Sequence, residues 1–315
     1  MFLPTTSLLL LAASGAVATF PTRVLFQSPI FLENIAVRPS SQLLLTSVVS
    51  PTLHTLDPTA QNITFDEIYT FPNATALTGI VEYRPDVYAV VASQLNSTTR
   101  VAEAGSVVIW SVDFTSGTPI PRAVARIPQS TLTNGLSNVP GHPDLVLAAD
   151  SHLGAAYEIN MRTSAMRVRI QDPAMAPGAP PPALGINGLH AHLNHLYFAN
   201  SQLGTFNRVS LAGGAVEMLG NITKFAVDGT AYDDFAIDEQ GRAFVGMHPG
   251  AVQLFYQSKD GSWVQETVAG DTNGSAVVTG PTSAAFGRRC GRHTKTLYVT
   301  TAGGNLVAVD TSRQT

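Results

Sequence analysis

Residues Ile186–Ser201 read INGLHAHLNHLYFANS, and the order of features within them repeats along the chain. An Asn-Gly step leads into a short apolar strand, a polar turn follows, and a second strand, Leu196–Ala199, ends at Asn200 and Ser201. QLGTFNRVSL then supplies a third alternating strand. Alternation between turn residues marks half-buried strands, because successive side chains point to opposite faces. The same order recurs in Phe31–Pro58, from Gly79 through Asp113, and in Asn134–Asn160, Asp234–Tyr256 and Thr282–Asp310.

First strands of these units start near Glu33, Gly79, Asn134, Asn187, Asp234 and Ser283, at steps of 46, 55, 53, 47 and 49 residues. A step of about 50 residues with three or four short strands in each is the signature of a β-propeller. Two β-sandwiches would also show short alternating strands. They would not place Asn-Gly-Leu at two equivalent strand starts and acids at two others. The expectation is an all-β, six-bladed β-propeller, a single domain over residues 19–315.

Composition agrees. Of 315 residues, 44% are hydrophobic and only 13% charged, against roughly 25% charged in ordinary soluble domains. The net charge of −4 is spread out, and no Lys/Arg run offers a footprint for nucleic acid. Met1–Ala18 reads as a signal peptide: an apolar run at Leu8–Ala13 precedes Ala16-Val17-Ala18, a small-x-small site with cleavage before Thr19. No Lys or Arg precedes that run, which is too short for a membrane span. Five N-x-[ST] triplets, at Asn62, Asn73, Asn96, Asn221 and Asn273, behind such a segment predict a glycoprotein that is secreted or resides in the secretory-pathway lumen. Cys290, in RRCGRH, is the only cysteine, so no internal disulfide forms and the residue reads as structural or incidental. Two inserts interrupt the repeats. Asp172–Ala183 (DPAMAPGAPPPA) is a stiff Pro-rich loop, and Asn96–Ser106 lengthens a turn of the second unit.

Innermost strands of a propeller meet at the mouth of a central channel, so equivalent strand starts converge in space. Glu33, Asn134, Asn187 and Asp234 would bring two acids and two amides together, an oxygen set suited to Ca²⁺ or another divalent metal. Taken singly, each Asn also reads as a turn residue and each acid as a cap. Asp150, Asn200, His248 and Thr46 end second strands and form a candidate pocket rim, with Asp150 the candidate base. Strand-ending turns account for Asp150 and Asn200 equally well. His190, His192 and His195 read as a solvated hairpin rather than a zinc site. Among familiar catalytic signatures, G-x-S-x-G, H-E-x-x-H, G-x-G-x-x-G and the P-loop are missing.

The spacing of Glu33, Asn134, Asn187 and Asp234, with PTSAAFG and LYVTTAGG near the C-terminus, resembles the senescence-marker-protein/gluconolactonase propellers. That resemblance implies a divalent metal held by a Glu, two Asn and an Asp, polarising a lactone or ester carbonyl. The match lies in LEN, INGL and DDFAID; the family segment corresponding to Asn134 does not read NGL. The chain is more closely similar to a fungal branch of that superfamily, through its signal sequence, FLENIAVRPSSQLLLT, INGL…LYFANS and DDFAID…G. That likeness implies natural-product biosynthesis and, by analogy with its hetero-Diels–Alderases, addition of a quinone methide to a terpene alkene with no cofactor required. The leading expectation is therefore a hetero-Diels–Alderase acting on a small, largely apolar substrate. A metal-dependent lactonase or ester hydrolase and a non-catalytic ligand-binding propeller are the alternatives. Nothing in the sequence sets an oligomeric state.

Overall fold

The computed structural model describes residues 19–222, 229–289 and 292–312. The predicted signal peptide and Cys290 lie outside them. Six four-stranded antiparallel sheets form a ring, and the fold is a six-bladed β-propeller. Innermost strands begin at Ile35, Ala76, Thr133, Ile186, Ala231 and Pro281 for blades one to six. The last blade is completed by the first strand of the chain. Thr22–Gln27 pairs antiparallel with Asn305–Asp310 as the outer strand of blade six, so main-chain hydrogen bonds tie the two ends of the ring together.

Each blade is a meander whose alternating residues feed two inter-blade cores, and the buried apolar side chains fall into six clusters, one per interface. Between blades four and five, Phe206 packs edge-on to Phe235 at 4.9 Å and tilted against Phe255 at 4.8 Å. All three rings are fully buried. Full burial of a large apolar side chain stabilises by roughly 1.5–3 kcal/mol, and truncating an aromatic here would cost about 3–5 kcal/mol through the cavity left behind.

Hydroxyls staple the blades together. Thr46 Oγ1 donates to Thr78 O (2.6 Å), Thr78 Oγ1 to Thr133 O (2.8 Å) and Ser151 Oγ to Ile186 O (2.6 Å). Ser201 Oγ donates to Tyr232 O (2.7 Å) and Thr282 Oγ1 to Leu32 O (2.7 Å). These bonds bridge five of the six interfaces. At the sixth, between blades five and six, the backbones approach directly: a Cβ on Gly246 would lie 3.0 Å from Pro281 O. Each hydroxyl satisfies a buried carbonyl that the sheets leave over. Thr46, expected at the pocket rim, is 1% exposed and belongs to this set.

Candidate functional site

The inner strands slip register where they reach the channel mouth. Extra residues fall between Leu77 and Ile80, Thr133 and Leu136, Ile186 and Leu189, and Tyr232 and Phe235. The pairs inside the slips are Thr78-Gly79, Asn134-Gly135, Asn187-Gly188 and Asp233-Asp234, and Glu33-Asn34 precedes the first strand of blade one. A bulge re-aims the side chains it contains. Here the first residue of every pair lines a cavity of about 600 Å³ at the mouth. The second faces the channel axis or the neighbouring blade.

The cavity brings together Glu33, Thr78, Asn134, Asn187 and Asp233, with His248, Ser201 and Arg100 beside them. Phe31, Val48, Leu132, Leu184 and Tyr232 supply apolar wall. Both inserts contribute. The blade-two insert folds as a small hairpin, Leu95–Asn96 against Val101–Ala102, and presents Ser97 and Arg100. The Pro-rich insert turns through Pro173–Met175, buries Met175, and brings Pro182 to the wall.

Glu33 is 9% exposed, and its carboxyl is pushed well above the usual carboxylate range. Burial is the main cause, the charges of Asp233 and Asp234 add to it, and Arg100 opposes it. Asn187, which lines the cavity, donates its Nδ2 to Ser201 Oγ at 2.9 Å. Asp233 Oδ2 lies 3.1 Å from His248 Nε2. His248 ends the second strand of blade five, where a cis bond joins it to Pro249.

Of the expected metal set, Glu33, Asn134 and Asn187 line the cavity. The blade-five acid that joins them is Asp233, not Asp234. Asp234 is 3% exposed, and both its oxygens are taken. Oδ2 accepts from Asn34 Nδ2 (2.9 Å) and Ser283 Oγ (3.0 Å). Oδ1 accepts from Phe235 N (2.8 Å) and lies 3.0 Å from His190 Nε2. His190 therefore departs from the exposed hairpin expected of it, standing edge-on to Phe235 with ring centroids 4.7 Å apart. Ser283, expected on the ring, sits in the same network.

Of the expected rim, only His248 lines the cavity. Asn200 is fully buried, donating to Ala174 O and Ala176 O (2.9 Å each) and accepting from Leu203 N, so it anchors the Pro-rich insert. Asp150 is 1% exposed and accepts from the His152 and Leu153 amides, so it caps a turn. Arg100, Asp233 and Tyr232 escaped the sequence reading. Asp233 had a signal: in NGL the cavity residue lies two positions before the apolar residue, and two before Phe235 is Asp233.

Two acids and two amides facing one cavity suit a hard cation by donor type. Among the described residues, no group of three or more His, Cys, Asp or Glu could hold a metal ion, so a set built on Glu33 and Asp233 would draw on other oxygens such as those of Asn134 and Asn187. No described helix is long and apolar enough to cross a membrane.

No protein-family profile matches the sequence. A Phoma protein named "Putative hetero-Diels-Alderase" is 27% identical over 93% of this chain and 89% of its own length. A Sarocladium schorii protein named "Putative hetero-Diels-Alderase asR5" is 26% identical over 91% and 79%. Among solved structures, a luciferin-regenerating enzyme superposes with a TM-score of 0.64 at 17% identity, covering 92% of this chain and 95% of its own. A calcium-binding regucalcin from Agrobacterium tumefaciens gives 0.62 at 16%, covering 94% and 95%. By sequence the chain is related to the proteins named hetero-Diels-Alderases, and by fold it stands with the regucalcin- and gluconolactonase-like propellers.

Proposed function

We propose that the mouth cavity catalyses an intermolecular hetero-Diels–Alder reaction, in which a quinone methide adds across a terpene alkene to form a dihydropyran. The observation that carries this reading is the division of one cavity of about 600 Å³ into an apolar wall and a polar floor with Arg100 and His248 beside it. Such a volume suits a ring and an alkene together. The reaction forms one C–C and one C–O bond and consumes three π bonds for one new one, with nothing released. It needs no base, water or oxidant. The protein's task is to hold both partners in a near-attack arrangement, which is worth up to about 7–11 kcal/mol. A donor aimed at the heterodiene oxygen contributes about 3 kcal/mol more as charge gathers there.

The experiment supplies an ortho-quinone methide, generated in situ, with a cyclic terpene alkene, and reads the adduct by chiral chromatography. The expected result is one stereoisomer where buffer alone gives a mixture. An unchanged product ratio and rate would sink the proposal.

The oxygen set favours a second reading, a metal-dependent lactonase. A divalent cation held by Glu33, Asn134, Asn187 and Asp233 would polarise a lactone carbonyl and lower the pKa of a water. Lactone hydrolysis abolished by EDTA and restored by Ca²⁺ would put that reading first; cycloaddition is expected to survive EDTA.

We also place the protein in the secretory pathway. Asn62, Asn73, Asn96 and Asn273 are exposed and open to a glycan, while Asn221 is half-buried. A mass drop on glycosidase treatment of protein from the culture medium is expected; unmodified protein retained in cells would count against it.

A further inference from the structure

Among the described residues, Arg100 is the only Lys or Arg lining the cavity; no side-chain hydrogen bond or ion pair holds it there, and its charge acts on Glu33. Most other described arginines are committed. Arg38 grips Asp86, Arg208 meets Glu217, Arg242 meets Asp238 and Arg288 meets Glu82. Arg100 is also expensively placed. Its φ is +56°, a conformation unfavourable for a long side chain and usual for Gly or Asn.

The surrounding hairpin holds it there. Arg100 N donates to Asn96 O at 2.8 Å, and Asn96 Oδ1 accepts from Thr98 N and Thr99 N at 3.0 Å each. Ala102 N donates to Thr131 O at 2.8 Å, tying the hairpin to the segment that leads into Asn134. The hairpin backbone thus sets Arg100 at the edge of a cavity that carries both Glu33 and an apolar wall.

We infer that Arg100 is the specificity-determining residue of this cavity and selects a substrate carrying a delocalised oxyanion, an ionised enol or phenol on a planar ring. Charge-assisted hydrogen bonds from a planar fork suit such an oxygen, and the ring has Phe31, Leu132 and Tyr232 to lie against. Asp233 pairs with His248, so Glu33 is the cavity carboxyl on which the Arg100 charge acts and against which an anionic substrate would compete. The inference rests on the cycloaddition reading only in taking this ring as the source of the heterodiene.

The test is calorimetric binding to the full chain at neutral pH. Its probes are the 4-hydroxy-6-methyl-2-pyrone anion and the neutral 4-methoxy ether of the same ring. The wild-type protein is expected to prefer the anion by about tenfold, the ratio one charge-assisted contact of about 1.4 kcal/mol provides. Arg100→Gln should bring the ratio near one, and Arg100→Lys should fall between, because an ammonium keeps the charge and loses the fork. The hairpin is exposed, so both variants should melt with the wild type; if Arg100→Gln does not fold, the lysine variant carries the comparison.

A wild-type ratio retained in Arg100→Gln, or in Arg100→Lys where that carries the test, overturns the inference. So does equal binding of the two probes by the wild type, or no binding of either. No turnover is read, so the binding result stands even where no adduct forms. In the separate cycloaddition assay, stereoselective adduct formation by Arg100→Gln with unchanged KM would remove Arg100's role and leave the cycloaddition reading in place.

Discussion

The two halves of the inner ring solve one crowding problem in opposite ways. Where blades two, three and four meet the axis, the second residue of each bulge is glycine: Gly79, Gly135 and Gly188. Their backbones press together, and a Cβ on Gly135 would lie 2.8 Å from Asn187 O. In blades five, six and one the same place holds Asp234, Ser283 and Asn34, whose side chains bond to one another. One half closes the channel by contact of main chains, the other by a buried polar network. The lesson is that pseudo-symmetry of strands need not extend to the axis. A ring can be drawn tight on one side and keyed with polar side chains on the other, and the cavity floor lies over both.

The largest expected effect is on the glycine side. In Gly79→Ala the new methyl would meet Asn134 O, with the Leu136 amide at 2.9 Å, and both are backbone atoms pinned in a sheet. A loss of about 3 kcal/mol or more in urea unfolding is expected, the top of the range for overpacking. Next comes Asp234→Ala, which strips a shared acceptor from Asn34, Ser283 and His190. Breaking a buried charged network by removing one partner costs about 3 kcal/mol. Asp234→Asn should cost less, since it keeps one acceptor oxygen. A Gly79→Ala protein more stable than Asp234→Ala would mean that the main chains part easily, and the contrast between the halves would fail.

The sequence made the ring legible because its unit is local: alternation and turn residues recur every 46 to 55 residues, and each blade is written out in order. The closing strand was harder, since Thr22–Gln27 pairs with Asn305–Asp310 across the whole chain. Site residues on the inner strands were legible to within one position. Asp234 was chosen where Asp233 lines the cavity, because a bulge turns two successive side chains to opposite tasks and the letters DD do not say which is which. Asn200 and Thr46 share spacing with His248, yet their neighbours offer carbonyls that claim them. Arg100 sits on an insert outside the repeat, where periodicity is silent.

The smallest expected effect concerns a carboxyl on the glycine side. Asp234 is met by donors on both oxygens, whereas Asp150, in blade three, accepts two amides on Oδ1 and its buried Oδ2 has no partner among the described residues. Burial pushes the Asp150 carboxyl up, against the pull of those amides and of the nearby Ser130 hydroxyl. A folded-state value above the unfolded one means that the native protein holds the proton more tightly. That stabilising contribution is complete below the unfolded value, about 3.9, and is lost as pH rises through the folded value. As the pH rises through that folded value, the wild type therefore takes on the desolvation penalty of a buried carboxylate. Asp150→Asn removes it while keeping an acceptor for the His152 and Leu153 amides. Its melting temperature should match or slightly exceed the wild type's near pH 7, and the gap should close as the pH falls toward the ordinary carboxylate value. A variant clearly less stable at neutral pH, with a deficit that shrinks in acid, would mean that Asp150 is ionised and neutralised by a bound cation or buried water, and the two carboxyls would then differ in partner rather than in satisfaction.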